Sequence, residues 1–81
     1  MPRTNVDVVA TEYRHFNDWI RGERKAKKIT QKTMADYIGI SQGQLSKREN
    51  GEVEWELREC FKALECLGVD IRGILGLSPN G

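Results

Sequence analysis

Apolar residues recur along the chain at helical spacing, and the first stripe occupies the N-terminal quarter. Its members follow one another at steps of four, three and four residues, which places them on one face of a helix. They are Val9, Tyr13, Phe16 and Ile20. This stripe predicts a helix that begins at Thr11, or earlier at Thr4 or Asn5, and ends at about Lys27.

Two short helices are predicted in the middle of the chain. Thr30 is a good N-cap for a helix over residues 31–38, and Gly39 ends that helix because glycine accepts the left-handed conformation. Ser41 then caps a third helix over residues 42–49. The inward apolar residues of the two helices are Met34, Ala35, Ile38 and Leu45.

The last third of the chain predicts a longer helix and a short one. The longer helix spans roughly Val53 to Leu67, and Gly68 closes it. Its apolar face consists of Leu57, Cys60, Phe61, Leu64 and Leu67. Asp70 caps a final short helix that contains Ile71, Ile74 and Leu75. Since no β-type alternation occurs, we predict an all-α protein of four to five helices.

The chain length predicts one domain. With 81 residues, such a domain buries only about 60% of its unfolded surface, so oligomerisation would help to stabilise it. We expect an N-terminal arm over residues 1–10, a folded domain over residues 11–77 and a C-terminal tail over residues 78–81.

Composition and motifs exclude several classes of function. No apolar run approaches the roughly 20 residues of a membrane span, and the first five residues lack the apolar core of a secretory signal. We therefore expect a cytoplasmic protein in which Cys60 and Cys66 are reduced. No catalytic Ser/His/Asp set, metal-ligand spacing or phosphate-binding glycine loop is present, and His15 stands alone. We expect no enzyme activity, no metal and no cofactor.

Charge is unevenly distributed, although the net charge is only +1. From Arg21 to Asn50, eight Lys or Arg residues stand against three acids, a net charge of +5. From Glu52 to Asp70, six acids stand against two basic residues, a net charge of −4. This asymmetry suits a protein that presents one face to a polyanion. Two ordinary solvated faces would explain it equally well.

The spacing of small and branched residues in the middle of the chain is typical of a helix-turn-helix. Ala35, four positions before the turn residue Gly39, allows the two helices to cross closely. Leu45, six positions after the glycine, drops into the core, and Ile38 and Ile40 flank the turn. A small residue four positions before a glycine is weak evidence alone, but the full set is specific.

The segment from Phe16 to Leu75 resembles the Cro/C1-type (Xre-like) helix-turn-helix family of phage repressors and bacterial regulators. The matching residues are Ile29-Thr30-Gln31, Ala35, Gly39, Leu45-Ser46-Lys47, Glu49-Asn50-Gly51, Leu64 and Leu67-Gly68-Val69. The resemblance implies a compact lambda-repressor-like DNA-binding domain. It also implies an ion pair between Arg24 and Glu49, so the motif residues that support the structure are Ala35, Gly39, Leu45, Arg24 and Glu49.

The resemblance, together with the geometry of the motif, implies that the third helix enters the major groove. The candidate base-reading residues are Gln42, Gly43, Ser46, Lys47 and Asn50. Gln42 suits adenine, and Lys47 suits guanine O6 or N7. Gln31 is expected to bind a phosphate or to brace Gln42, as this glutamine does in the family. The candidate phosphate or bracing residues are Gln31, Lys32, Ser41, Lys28 and Arg48. Most of these side chains would also suit any solvated helix face.

Arg48 departs from the family pattern, which places a large apolar or aromatic residue there, partly buried. We expect the arginine to run outward along the surface toward Glu52 or Glu54. Trp19 and Trp55 fall outside the main stripes, and we expect them to complete the edges of the core. An exposed tryptophan would instead indicate a surface for a partner.

We therefore expect a sequence-specific double-stranded DNA-binding transcriptional regulator, a phage- or mobile-element-like repressor or autoregulator without a small-molecule effector. One short helix reads few base pairs, so a homodimer on a palindromic operator is expected. The candidate dimer residues are Val69, Ile71, Ile74, Leu75 and Leu77. These residues would otherwise only complete the core.

The main alternative is a protein-binding module or antitoxin of the same fold that acts through a protein partner. It predicts an exposed apolar surface that includes Trp55 or Tyr37, and it predicts no salt-dependent affinity for DNA.

Overall fold

Five α-helices make up residues 8–76, the part of the chain that the computed structural model describes, and no strand occurs within it. The helices are α1 (Val8–Ala26), α2 (Gln31–Ile38), α3 (Gln42–Glu49), α4 (Leu57–Cys66) and α5 (Ile71–Ile74). The predicted all-α class and helix-turn-helix architecture are confirmed. No helix within residues 8–76 is long and apolar enough to cross a membrane.

The first helix begins at Val8, three residues before Thr11, so residues 8–10 are helical although the sequence assigned them to the arm. Val9 is exposed, and the apolar stripe first meets the core at Tyr13. The predicted tail and Leu77 lie outside the described residues. The helix ends at Ala26, and Lys28 follows with a left-handed φ of 59°.

Side-chain caps and one glycine define the helix-turn-helix. Thr30 Oγ1 accepts a hydrogen bond from Thr33 N, and Ser41 Oγ accepts one from Gln44 N, at 3.0 and 3.1 Å. Between the two helices, Gly39 adopts φ 96°, and its N–H donates to the carbonyl oxygen of Ala35. Both predicted N-caps and the predicted turn glycine are therefore confirmed.

The fourth helix begins at Leu57, four residues later than the predicted start at Val53. The N–H of Glu56 donates to Oε1 of Glu59 at 3.0 Å, which fixes the helix start there. The preceding loop is tied to α1 instead. The backbone N–H of Trp55 donates to the Tyr13 hydroxyl, and its indole N–H donates to Asn17 Oδ1 at 2.8 Å.

The core lies where α2 packs against α3 and α4 and where α1 packs against α3. Its buried apolar residues are Ile20, Met34, Ala35, Leu45, Trp55, Ala63, Leu64 and Leu67. Three expectations about apolar residues are wrong. Trp19 is 43% exposed instead of completing the core edge, as Trp55 does. Leu57 is 70% exposed and Val9 is 77% exposed, so neither side chain reaches the core.

Candidate nucleic-acid interface

Helix α3 presents one polar face away from the core. Successive helical residues are rotated by about 100°, so the buried residues define the inward side. These are Leu45, Arg48 and Glu49. The centre of the opposite face lies between Gly43 and Lys47, which are both exposed. No heavy atom of the described residues, beyond those next to it in α3, lies within 4 Å of the position that a Cβ would take at Gly43. The predicted outward face is therefore polar and sterically open.

The expected ion pair between Arg24 and Glu49 joins α1 to α3. Arg24 Nε donates to Glu49 Oε2 at 2.8 Å, and Nη2 donates to Oε1 at 3.1 Å. The two side chains are only 7% and 1% exposed. The remaining side of the guanidinium donates from Nη1 to the carbonyl oxygen of Ile29 at 3.0 Å. This bidentate pair fixes the C-terminal end of α3 against α1.

A relay of amides leads from this ion pair to the N-terminus of α3. Gln31 Nε2 donates to Glu49 Oε1 at 3.0 Å. Gln42 Nε2 donates in turn to Gln31 Oε1 at 3.4 Å. A carboxylate only accepts hydrogen bonds, so it determines which end of the Gln31 amide faces it, and that end determines the orientation of Gln42. The bracing of Gln42 by Gln31 is therefore present, and it originates in the buried ion pair.

A shallow basin of about 520 Å³ opens beside this relay, between the end of α1 and the N-termini of α2 and α3. Its lining residues are Arg21, Arg24, Lys25, Thr30, Gln31, Gln42, Glu49 and Asn50. Arg21 Nη1 donates to Asn50 Oδ1 at 3.1 Å, and Nη2 donates to Asp18 Oδ1 at 3.0 Å. Arg21 and Lys25 were not among the candidates predicted from the sequence. Their position on the last turns of α1 could have indicated that they lie near α3.

The other predicted base and phosphate residues lie around the same surface. Ser46 is half-buried on the flank of α3, Asn50 is exposed at its C-cap, and Ser41 is occupied as its N-cap. Lys28 is exposed in the turn after α1. Lys32 is exposed on the first turn of α2 and pairs with Asp36, with Nζ and Oδ2 3.1 Å apart.

Arg48 does not run outward toward Glu52 or Glu54, and that expectation is wrong. Its Nε and Nη2 donate to the two carboxylate oxygens of Glu59 on α4, at 2.7 and 3.2 Å. The Arg48 and Glu59 side chains are 10% and 12% exposed. The site that the family fills with a large apolar residue is filled here by an ion pair, so a phosphate contact by Arg48 does not fit its placement.

The same guanidinium also holds Gln44, which was not among the residues predicted from the sequence. Arg48 Nη1 donates to the Gln44 carbonyl oxygen at 3.1 Å and to its side-chain Oε1 at 2.8 Å. Gln44 is exposed on the flank of α3 opposite Ser46. The helical position of Gln44 was available from the sequence, but the partner of Arg48 was not, because Glu59 lies on another helix.

The candidate dimer residues divide into three groups. Val69 and Ile71 are half-buried and pack against the core. Leu75 is exposed, whereas the structure does not describe the side chain of Ile74 or any part of Leu77. Among the candidates whose side chains the structure describes, Leu75 is the one that is mostly exposed.

The described residues contain no cluster of His, Cys, Asp or Glu that would hold a metal ion. Cys60 and Cys66 are half-buried free thiols, and burial raises the pKa of both, so neither is activated as a thiolate. His15 lies on the exposed side of α1, with Nδ1 3.7 Å from Glu12 Oε1.

Comparison with known proteins agrees with this geometry. Residues 20–74, more than half of the chain, match a family model described as helix-turn-helix. No curated protein and no solved structure matches the chain. The matched range contains α2, α3, the turn at Gly39 and both residues of the Arg24–Glu49 pair. The chain belongs to the Cro/C1-type helix-turn-helix family of DNA-binding transcription regulators.

Proposed function

We propose that the protein binds double-stranded DNA sequence-specifically as a homodimer and acts as a repressor or autoregulator of transcription. The relay from Arg24 through Glu49 and Gln31 to Gln42 is the observation that carries this proposal. A base-reading side chain is most selective when it is held in place before it meets the base. Gln42, at the N-terminus of α3, is held in this way.

The orientation of Gln42 suits a particular base. One N–H of its Nε2 is directed to Gln31, and its Oε1 and the second N–H remain for a partner. An acceptor beside a donor matches N6 and N7 of adenine in the major groove. Lys47, one turn after Gly43 on the exposed face, suits O6 or N7 of guanine, while Ser46 and Asn50 extend the candidate surface.

Cations at the end of α1, in the turn after it and on α2 support an approach to the phosphate backbone. Arg21 and Lys25 line the basin at the end of α1, and Lys28 and Lys32 lie on the turn and on the helix that follow. Such contacts give affinity that falls with salt and carries no sequence information. A phosphate contact by Gln31, at the N-terminus of α2, remains the alternative to its bracing of Gln42.

A dimer follows from the small size of the reading helix. Two copies related by a two-fold axis would place two α3 helices on half-sites about 34 Å apart, as a palindromic operator requires. The exposed Leu75 is our candidate for that contact among the described residues. Whether transcription is repressed or activated depends on where the operator lies relative to a promoter.

The test is selection of bound duplexes from a random pool of double-stranded DNA. We expect a two-fold symmetric site to be enriched, and we expect Gln42→Ala combined with Lys47→Ala to lose or alter it. Arg58→Ala removes the same charge as Lys47→Ala but from the exposed side of α4, so it is the matched control. Gly43→Ala should fold normally, since its methyl group meets no distant part of the fold, and weaken binding by blocking close approach.

Three outcomes would contradict parts of the proposal. A folded protein that enriches no duplex at low salt would exclude DNA reading. An enriched site that Gln42→Ala, Lys47→Ala and Gly43→Ala leave unchanged would exclude α3 as the reading helix. A complex of one protein chain per symmetric site would exclude the homodimer.

The alternative is a module of the same fold that acts through a protein partner. Tyr37 favours it, because the ring is exposed on α2 with Lys62 Nζ 5.8 Å from its centre. Trp55 does not favour it, because its side chain is buried against Phe16 and Asn17. Salt-dependent DNA affinity in the selection experiment decides between the two functions.

A further inference from the structure

We infer that Gln44 is a further specificity-determining residue, and that Arg48 and Glu59 make it select a base with hydrogen-bond acceptors at its major-groove edge. The inference rests on the proposed DNA-binding function and concerns a residue outside the candidates that the motif supplies. Its basis is the direction in which two amide side chains on one helix are held.

The position of Gln44 allows contact with DNA. On α3 it lies about 100° from Gly43, at the border of the exposed face, and Ser46 lies at the opposite border. Its side chain is exposed although its carbonyl oxygen and Oε1 are bound from behind by Arg48. The residue therefore lies beside the exposed face of Gly43 and Lys47, and its side-chain oxygen is held by Arg48.

The chemistry of Arg48 determines which end of the Gln44 amide faces outward. A guanidinium is a donor with no acceptor, so the oxygen of the amide must face it. Arg48 Nη1 to Gln44 Oε1 is 2.8 Å, the distance of a charge-assisted hydrogen bond. The Nε2 group, with two N–H donors, is left on the exposed side, and no described residue accepts a hydrogen bond from it.

Glu59 keeps Arg48 in this position. Both of its carboxylate oxygens accept from the guanidinium, and Oε1 also accepts from the Glu56 N–H at the start of α4. Arg48 therefore cannot turn toward solvent without leaving a largely buried carboxylate unpaired. The orientation of Gln44 is set by α4, although Gln44 itself belongs to α3.

The result is two glutamines of opposite polarity on one reading helix. The Glu49 carboxylate orients Gln42 through Gln31, so the Gln42 amide presents an acceptor beside a donor. The Arg48 guanidinium binds the Gln44 amide oxygen, so the Gln44 amide presents only its N–H donors. Two donors match guanine, whose O6 and N7 both accept, and next thymine through O4. They disfavour adenine and cytosine, whose amino groups are themselves donors.

The experiment repeats the selection from random duplexes with three proteins. The wild type identifies the site, and Gln44→Met, which keeps the length of this exposed side chain, identifies the position that Gln44 reads. We expect the wild type to prefer guanine there and Gln44→Met to lose about tenfold of that preference, as expected for one good base contact. The other positions of the site should stay unchanged.

The third protein carries Arg48→Met with Glu59→Gln. Gln at position 59 keeps an acceptor for the Glu56 N–H, so the start of α4 is preserved, and thermal unfolding checks that the variant is folded. Because Gln44 Oε1 is then free, the amide can turn, and we expect adenine to be accepted where guanine was preferred. An unchanged preference for guanine would overturn the role of Arg48 and Glu59.

The failures can be distinguished. If the wild type enriches no site, the proposed function fails before Gln44 is tested. If it enriches a site but Gln44→Met changes no position, or weakens all sequences equally through a lost phosphate contact, Gln44 is not a specificity residue. A preference for adenine or cytosine at the Gln44-dependent position overturns the donor-only orientation. Should Arg48→Met with Glu59→Gln not fold, the base preferred by the wild type still decides the inference.

Discussion

Two neighbouring residues of α3, Arg48 and Glu49, are both charged and both buried, and each pairs with a different helix. Glu49 pairs with Arg24 on α1, and Arg48 pairs with Glu59 on α4. The first pair was expected from the family, whereas the second replaces a residue that is usually apolar. Helix α3 is thus held from two sides by ion pairs, and it contributes the anion to the pair with α1 and the cation to the pair with α4.

The two pairs differ in the hydrogen-bonding group that each still offers to a third side chain. The Arg24–Glu49 pair offers a spare acceptor on Glu49, which Gln31 uses. The Arg48–Glu59 pair offers a spare donor on Arg48, which Gln44 uses. A buried ion pair can therefore orient an exposed amide, and the sign of the charge nearest the surface determines the direction. Neither buried charge is an isolated cost, since no buried side-chain N or O among the described residues lacks a partner.

The largest effect is expected from Arg24→Met. It leaves the Glu49 carboxylate, which is 1% exposed, without its cation, and breaking such a pair from one side costs about 3–5 kcal/mol of unfolding free energy. Urea unfolding measures the loss. The double variant Arg24→Met with Glu49→Met should recover most of it, because no charge is then stranded. A double variant whose loss of unfolding free energy equals the sum of the losses in the two single variants would contradict this prediction.

A smaller loss, about 2 kcal/mol, is expected from Arg48→Met. Glu59 stays partly exposed and keeps its hydrogen bond from the Glu56 N–H, so its carboxylate is less isolated than that of Glu49. The same urea titration compares the two variants directly. A loss of unfolding free energy as large as that of Arg24→Met would show that the two pairs are equivalent and that Glu59 is no less isolated than Glu49.

Acid should weaken the Arg48–Glu59 pair. Burial raises the pKa of Glu59. Hydrogen bonds from Arg48 and from the Glu56 N–H, together with the charge of Arg48, lower this pKa by more, so it lies below its ordinary value of 4.5. The pair therefore stabilises the fold above about pH 4.5, and this contribution disappears as pH falls through the lowered pKa. The stability difference between wild type and Glu59→Gln should shrink over that range. A difference independent of pH would contradict the assignment.

The smallest change in stability is expected from Lys32→Ala, which removes an exposed ion pair with Asp36. Both side chains are mostly in solvent, and such a pair contributes within about 0.5 kcal/mol. Its proposed role is phosphate binding, so the slope of log affinity against log salt should fall by about 1. Arg58→Ala is the control, with an unchanged slope. A change of several kcal/mol in unfolding would show that exposed and buried pairs do not differ as argued.

Much of the fold could be read from local chemistry. Thr30 and Ser41 cap their helices, Gly39 takes the left-handed conformation, and Leu45 is buried. Each of these depends on a few neighbouring residues, which the sequence supplies directly. The start of α4 was misplaced because the periodicity of apolar residues continues upstream of Leu57, while the hydrogen bond between Glu56 and Glu59 that begins the helix is a separate signal.

Exposure was less predictable than helix position. Val9 and Leu57 fit their apolar stripes but are exposed near the N-terminal ends of their helices. Trp19 and Trp55 look alike in the sequence. Trp55 is buried because its indole meets Asn17 and Phe16 on α1, and Trp19 remains at the surface. Such outcomes depend on which elements lie opposite, and a periodic pattern carries no information about that.

The sequence by itself determined the family, the helix-turn-helix, the Arg24–Glu49 pair and the polar face around Gln42 and Lys47, because these follow from local spacing and from a resemblance over residues 16–75. Only the tertiary structure decided where Arg48 lies and that it orients Gln44. The partner of Arg48 is Glu59, 11 residues along the chain and on another helix. Glu52 and Glu54 were closer in sequence, but a charged side chain pairs with the carboxylate that folding brings within hydrogen-bond distance.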